Sequence, residues 1–278
     1  MFRVNNLFHE ESLAYQNARK YMHERQGEIE GLQEIISCCA VNDESLECDV
    51  VHLYEQEIEP KISLADWLFC GAGQGDYDLR RMLMELLQIF SDFEEEKDYK
   101  IDISMGAQTG CVCNGTGYWT ERRKHLANIH KTSEFYEFMK TCFVNTEFSE
   151  YVKSALREIK NFPQHTHEIV YNLSLLNDEA IEIYEKHQRN EKEAMRELAS
   201  KALDCSGDSH HKEQLIFPFT YYVEDGEEQH VCIAEITCEP HMKLIRRDSD
   251  LRIYFYWRDM RIANGEKVLV GKIGGHPY

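Results

Sequence analysis

Long apolar runs are missing from this chain. No stretch approaches the ~18 apolar residues that cross a bilayer, so no membrane partner is expected. The start, Met1-Phe-Arg-Val-Asn-Asn-Leu-Phe-His-Glu-Glu, has no apolar core of the kind a secretion signal needs, and a cytoplasmic location is expected. Proline is scarce, five in 278 residues, beside an apolar content of 42%. That composition excludes a disordered or collagen-like chain and leaves one large or two modest globular domains. The ten cysteines stand at 38, 39, 48, 70, 111, 113, 142, 205, 232 and 238 without a repeated C-x-x-C. The close pairs Cys38-Cys39 and Cys111-Val-Cys113 are poor zinc half-sites, so no metal and no cofactor is expected. Scattered cysteines in such a chain read as buried, reduced, small hydrophobes.

Positive charge is also short: 31 Lys and Arg face 50 Asp and Glu, for a net −19. What there is concentrates at the end. From His241 onward eight basic residues face four acidic ones, a net +4, so residues 1–240 carry −23. A small basic, aromatic segment closing an acidic protein is the footprint of contact with a polyanion. The acidic remainder suits a basic protein partner.

The first half reads as helical. Apolar residues at Leu13, Tyr21, Ile29, Leu32, Ile35 and Ile36 follow helical spacing from about Phe8 to Ala40. Val50-Val-His-Leu-Tyr54 suggests a short strand, and Ser63 a helix N-cap. Gly71-Ala-Gly-Gln-Gly75 lacks the Gly-Lys-Ser/Thr ending of a phosphate loop and reads as an interhelical connection. Asp76 to Phe90 is amphipathic, with Leu79, Met82, Leu83, Leu86 and Leu87 inward. Residues 91–132 give no clear pattern beyond a loop of small residues around Cys111 and Cys113. Two further helices are expected over Ser133–Phe143 and Phe148–Phe162, and one long exposed helix over Asn177–Leu203.

After Gly207 the period changes to two. Ile216–Val223 and Val231–Thr237 flank Asp225-Gly226, a tight-turn signal. Leu251–Trp257 and Lys267–Ile273 complete a predicted meander of about four strands. On the third, Ile253, Phe255 and Trp257 face one side, and Arg252, Tyr254, Tyr256 and Arg258 the other. The expected fold class is α+β: a mainly helical N-terminal region (1–164), then a long helix and an antiparallel β-sheet (165–278).

The order Glu-Pro-x-x-Lys-Leu-x-Arg, Leu-Arg-Ile-Tyr-Phe and Val-Leu-Val-Gly-x-Ile-Gly-x-His resembles the C-terminal half of RelE/HigB-type toxins. The likeness covers about residues 230–278, and starts at 165 if the long helix belongs to it. Chains with this ending also resemble phage-defence effectors. The resemblance implies an endoribonuclease acting on RNA or the ribosome without metal. In such cleavage the ribose 2′-hydroxyl attacks its own phosphodiester, so the enzyme needs a base, a cation for the phosphorane and an acid for the leaving oxygen. By position in the pattern, Lys243, Arg246, Arg252, His276 and Tyr278 are the candidate catalytic residues. Arg252 and Lys243 would offset phosphate charge, and His276 or Tyr278 would move the proton. Arg247, Tyr254, Tyr256, Arg258 and Lys272 are candidates for binding nucleic acid. The sequence departs from the toxins at Gly274-Gly275, where they often carry another basic residue. Two other classes stay open: a metal-dependent nuclease built on Glu235, Glu239 and Lys243, and a non-enzymatic interaction subunit.

Overall fold

The computed structural model describes residues 3–73, 75–93, 98–202, 204–207, 212–225, 228–244 and 250–276. The chain forms two compact units, 1–122 and 123–278, where the sequence suggests a boundary at 164.

Beside the helices that the sequence suggests, the first unit contains a parallel sheet. Its elements are β1 (Val4–Phe8), α1 (Tyr15–Ala18), α2 (Gln26–Val41), β2 (Leu46–Glu47), α3 (Val50–Glu55), β3 (Glu57–Glu59), β4 (Ile62–Ser63), α4 (Leu64–Phe69), α5 (Tyr77–Leu87), β5 (Phe90–Ser91) and β6 (Tyr99–Ile103). Strands β5, β2, β1 and β6 lie in that order, every pair parallel. Short strands and a polar inward residue hid this sheet. Along β1 the buried positions are Val4, Asn6 and Phe8, and Asn6 breaks the apolar alternation. Asn6 Nδ2 donates to Glu44 Oε2 at 3.1 Å and to Ser45 O at 3.3 Å, so the donor half of the buried amide is partnered. Residues 50–55 are helical rather than extended, because the Asp49 carboxylate accepts from the His52 backbone N–H at 2.9 Å and caps the turn. Ser63 caps α4 as its sequence position suggests, accepting from Asp66 N at 3.1 Å.

Helix α6 (Gly115–Ala127) runs through the division between the units. The second unit continues with α7 (Thr132–Cys142), β7 (Thr146–Phe148), α8 (Tyr151–Glu158), α9 (Thr166–Lys186), α10 (Glu191–Lys201), β8 (Cys205–Ser206), β9 (Ile216–Asp225), β10 (Glu228–Thr237), β11 (His241–Lys243), β12 (Arg252–Tyr256) and β13 (Val268–Gly274). The predicted single helix over 177–203 is two helices with a break between them. Gln188 and Arg189 turn left-handed at φ 53° and 66°, and Asn190 caps α10. Asn177 is no helix start. It lies buried inside α9, where its Oδ1 accepts from Asn145 N at 2.9 Å and from Thr146 Oγ1 at 3.2 Å. A cap-like residue was thus serving a tertiary contact.

The expected four-strand meander divides in two. Strands β9 and β10 form their own antiparallel hairpin, paired from Ile216–Thr237 to Asp225–Glu228; Gly226 lies outside the described residues. Strands β11, β12 and β13 join a five-stranded sheet in the order β7-β13-β12-β11-β8, antiparallel except where β7 runs parallel to β13. The hairpin lays Phe217, Phe219, Ala234 and Ile236 into one buried cluster with Tyr254 and Leu269 of that sheet. Position 271 has no room for a side chain, because a Cβ there would fall 2.3 Å from the Phe217 ring. On the other face Trp257 stacks on Tyr184 of α9 at 4.9 Å. Alternation along β12 therefore serves two cores, not one core and a wet surface.

Candidate functional site

Pairing across the five-stranded sheet aligns polar residues into rows. Cross-strand partners share a face. Ser206 pairs with His241, His241 with Tyr254 and Tyr254 with Lys272, so four strands contribute one side chain each to a single row. The next row holds Lys243, Arg252 and Gly274. His276 follows the end of β13 and returns over the first row. Its Nδ1 lies 3.3 Å from the Tyr254 hydroxyl, and its ring 6.5 Å from that of His241.

Backbone geometry selects a tautomer of His241. Its Nδ1 lies 3.3 Å from the Glu239 carbonyl oxygen, which can only accept, so Nδ1 carries the proton. In that tautomer the Nε2 lone pair faces the Ser206 hydroxyl at 3.2 Å. An imidazole oriented by a carbonyl and bonded to a hydroxyl is the arrangement of a general base and its proton donor. The residue is 6% exposed, with the Tyr254 ring packed against its own at 5.2 Å.

Lys272 is the second distinctive member. It is 5% exposed, and among the described residues its ammonium has no ion-pair partner; the Tyr151 ring lies 5.9 Å away. Burial pushes its pKa below the ordinary lysine value, with Glu158 acting weakly in the opposite sense. A buried cation without a carboxylate costs stability, and such positions concentrate where an anion is handled.

The structure treats the sequence-predicted residues unequally. Arg252, His276, Tyr254 and Lys272 come together. Lys243 sits beside Arg252 but is engaged in an ion pair with Asp204. Arg246, Arg247 and Tyr278 lie outside the described residues. Tyr254 is fully buried under the hairpin, so its ring offers no open face for stacking a base, and its hydroxyl lies against His276. Tyr256 is partly buried against the same apolar cluster, and burial raises its pKa. Arg258 pairs with Glu185 of α9 and takes no part. Glu235, on the hairpin opposite Pro218, and Glu239 belong to no metal-ligand set: among the described residues no group of three His, Cys, Asp or Glu is placed to hold an ion.

Ser206 and His241 were missed. For His241 a signal existed, since it stands two residues before Lys243 and must share its strand face. Ser206 had none; β8 is only two residues long, too short for any period to show.

Among the described residues no helix is long and apolar enough to cross a membrane. No protein-family model, curated protein or solved structure matches this chain.

Proposed function

We propose that the C-terminal unit is a metal-independent endoribonuclease of the RelE kind. The observation that carries this reading is the single row Ser206, His241, Tyr254 and Lys272, with His276 above it and Arg252 beside it. Transphosphorylation needs a base, an acid and a cation around one phosphate, and this cluster supplies all three. His241, through the Ser206 hydroxyl, takes the proton of the ribose 2′-hydroxyl as its oxygen bonds to phosphorus. The bond from phosphorus to the 5′-oxygen breaks, and His276 with the Tyr254 hydroxyl delivers a proton to that oxygen. Lys272 and Arg252 stabilise the charge on the phosphorane. The products are a 2′,3′-cyclic phosphate and a free 5′-hydroxyl.

The test is incubation of purified protein with single-stranded RNA in EDTA. Cleavage leaving cyclic phosphate ends, and none with a 2′-deoxy residue at the scissile position, is the expected result. Cleavage that requires Mg²⁺, or that proceeds equally on the deoxy substrate, rules the reading out. A non-enzymatic interaction subunit is the second reading. It is favoured by the exposed Tyr222, Val231 and Ile233 on the hairpin, and inertness toward RNA would select it.

Lys272 supplies a separate check. Its folded pKa is depressed, so the unfolded chain binds the proton more readily. The stability cost is present at neutral pH and is relieved as pH rises through the folded pKa toward the ordinary lysine value. Lys272→Met is therefore expected to raise the urea midpoint at pH 7, with a smaller gain at pH 10, while RNA cleavage falls. Loss of stability at pH 7 would show instead that the ammonium is a structural support.

A further inference from the structure

The sheet of the first unit reverses its winding at β1. Strands β1, β2 and β5 step outward in one direction, and β6 returns to the other side of β1. In open parallel sheets, the crevice outside the carboxyl ends of the two strands at such a reversal is where ligands bind. Here those ends are Phe8 of β1 and Ile103 of β6.

A cleft of about 240 Å³ lies beyond them, lined by Ser12, Asn17, Lys20, Glu28, Met105 and Gln108 among others. An adjoining cleft of about 330 Å³ shares Glu28, Gly106 and Ala107 and extends past Gly27 and Gly31 to Asn114. The walls are tied together from behind. Arg25, 1% exposed, donates to Leu13 O at 2.7 Å, Ser12 O at 2.8 Å and Met105 O at 3.4 Å. One guanidinium thus fixes the loops after both strands, the kind of support a preformed site requires. Gly106 sits at φ 84°, and a Cβ there would stand 3.0 Å from the Glu28 carboxyl carbon. The backbone closes directly against that carboxylate.

The chemistry of the lining selects a ligand. Glu28 bonds to Arg25 Nε and to Lys20 Nζ, each at 2.7 Å. Burial opposes its ionisation, but the hydrogen bonds from Lys20 and Arg25 outweigh it and hold the carboxyl below the ordinary glutamate value. An ionised carboxylate accepts hydrogen bonds from a vicinal diol. The Lys20 side chain is half exposed, and it can turn to an anion because Arg25 still neutralises Glu28. Beside Gly27 the second cleft is open, while Gly31 is closed against the Cys113 carbonyl; Glu30 and Glu34 in its lining offer acceptors to the amino group of a base.

We propose that this crevice binds a ribose-phosphate nucleotide: Glu28 accepts the ribose hydroxyls, Lys20 meets the phosphate, and the base enters the second cleft. This site is independent of the RNA-cleaving reading of the C-terminal unit. It is tested by calorimetric titration of the full chain with AMP, ribose 5-phosphate and 2′,3′-dideoxy-AMP. Saturable binding of AMP and ribose 5-phosphate is expected, with the dideoxy compound weaker by about tenfold or more, the factor that ~1.4 kcal/mol represents. Glu28→Gln leaves the buried Arg25 uncompensated and risks unfolding, so the exposed Lys20→Ala carries the mutational arm. It is expected to weaken AMP by about tenfold while leaving adenosine binding little changed. Absence of heat with AMP and ribose 5-phosphate at millimolar concentration, equal binding of dideoxy-AMP, or indifference to Lys20→Ala would each overturn the proposal.

Discussion

Replacing His241 by alanine is expected to slow RNA cleavage by about 10²–10⁴-fold, the usual contribution of a positioned acid or base. The reason is geometric. The His241 Nδ1 faces a backbone carbonyl and its Nε2 faces a hydroxyl. His276 contacts the Tyr254 hydroxyl through Nδ1 and is itself half-buried; in the proposed reaction it is the acid for the leaving oxygen. If the two act as a base and an acid in one step, their losses do not add. The double variant His241→Ala/His276→Ala should then cleave no more slowly than the worse single variant. The pH profile supplies the sharper reading. A wild-type bell should lose one limb in each single variant, which a merely structural histidine would not produce. A His241→Ala enzyme with wild-type rate and an unchanged bell would remove His241 from the mechanism.

The C-terminal strands were legible because their alternation is strong. Phe255 and Trp257 meet edge to face, and Tyr254 and Tyr256 both pack on the hairpin cluster, as period two requires. What the pattern could not tell was that the second face is covered. Arg and Tyr in alternation look like a wet surface, yet the hairpin Phe217-Pro-Phe219 packs with Tyr254 in one buried cluster. Long-range packing decides this, and no local period encodes it. The parallel sheet of the first unit failed to show for a different reason. Two of its four strands are two residues long, below the length at which a helical and an extended period can be separated. Residues 91–132, unreadable in sequence, contain β6 and α6. Within them Gly106 and Gly110 mark positive-φ turns rather than the absence of structure. His241 was readable and passed over; Ser206 was not readable at all.

The largest stability effect is expected at Trp257. Its side chain is wholly buried, stacked on Tyr184 at 4.9 Å and set edge-on to Phe255 at 5.2 Å. Truncation to alanine removes these contacts and leaves a cavity the sheet and α9 cannot both close. That should cost about 3–5 kcal/mol, a large fraction of the roughly 5–15 kcal/mol that holds a domain folded. Among the described residues the indole N–H has no hydrogen-bond partner, so the residue contributes area and stacking, not polarity. Trp257→Phe keeps a ring against Tyr184 and removes an unsatisfied donor. Its expected cost is therefore much smaller, about 1 kcal/mol or less, because losing an unpaired buried polar group offsets part of the lost area. Urea unfolding of the two variants followed by far-UV circular dichroism separates these outcomes. Equal losses for Ala and Phe would mean that the N–H, through water or a partner, contributes to stability. A loss under about 1 kcal/mol for Ala would mean the site collapses freely, and the two-core reading of β12 would then fail on its α9 side. Neither substitution touches the row of Ser206, His241, Tyr254 and Lys272. The Phe variant should therefore cleave RNA at the wild-type rate, while the Ala variant loses activity only in proportion to the population unfolded.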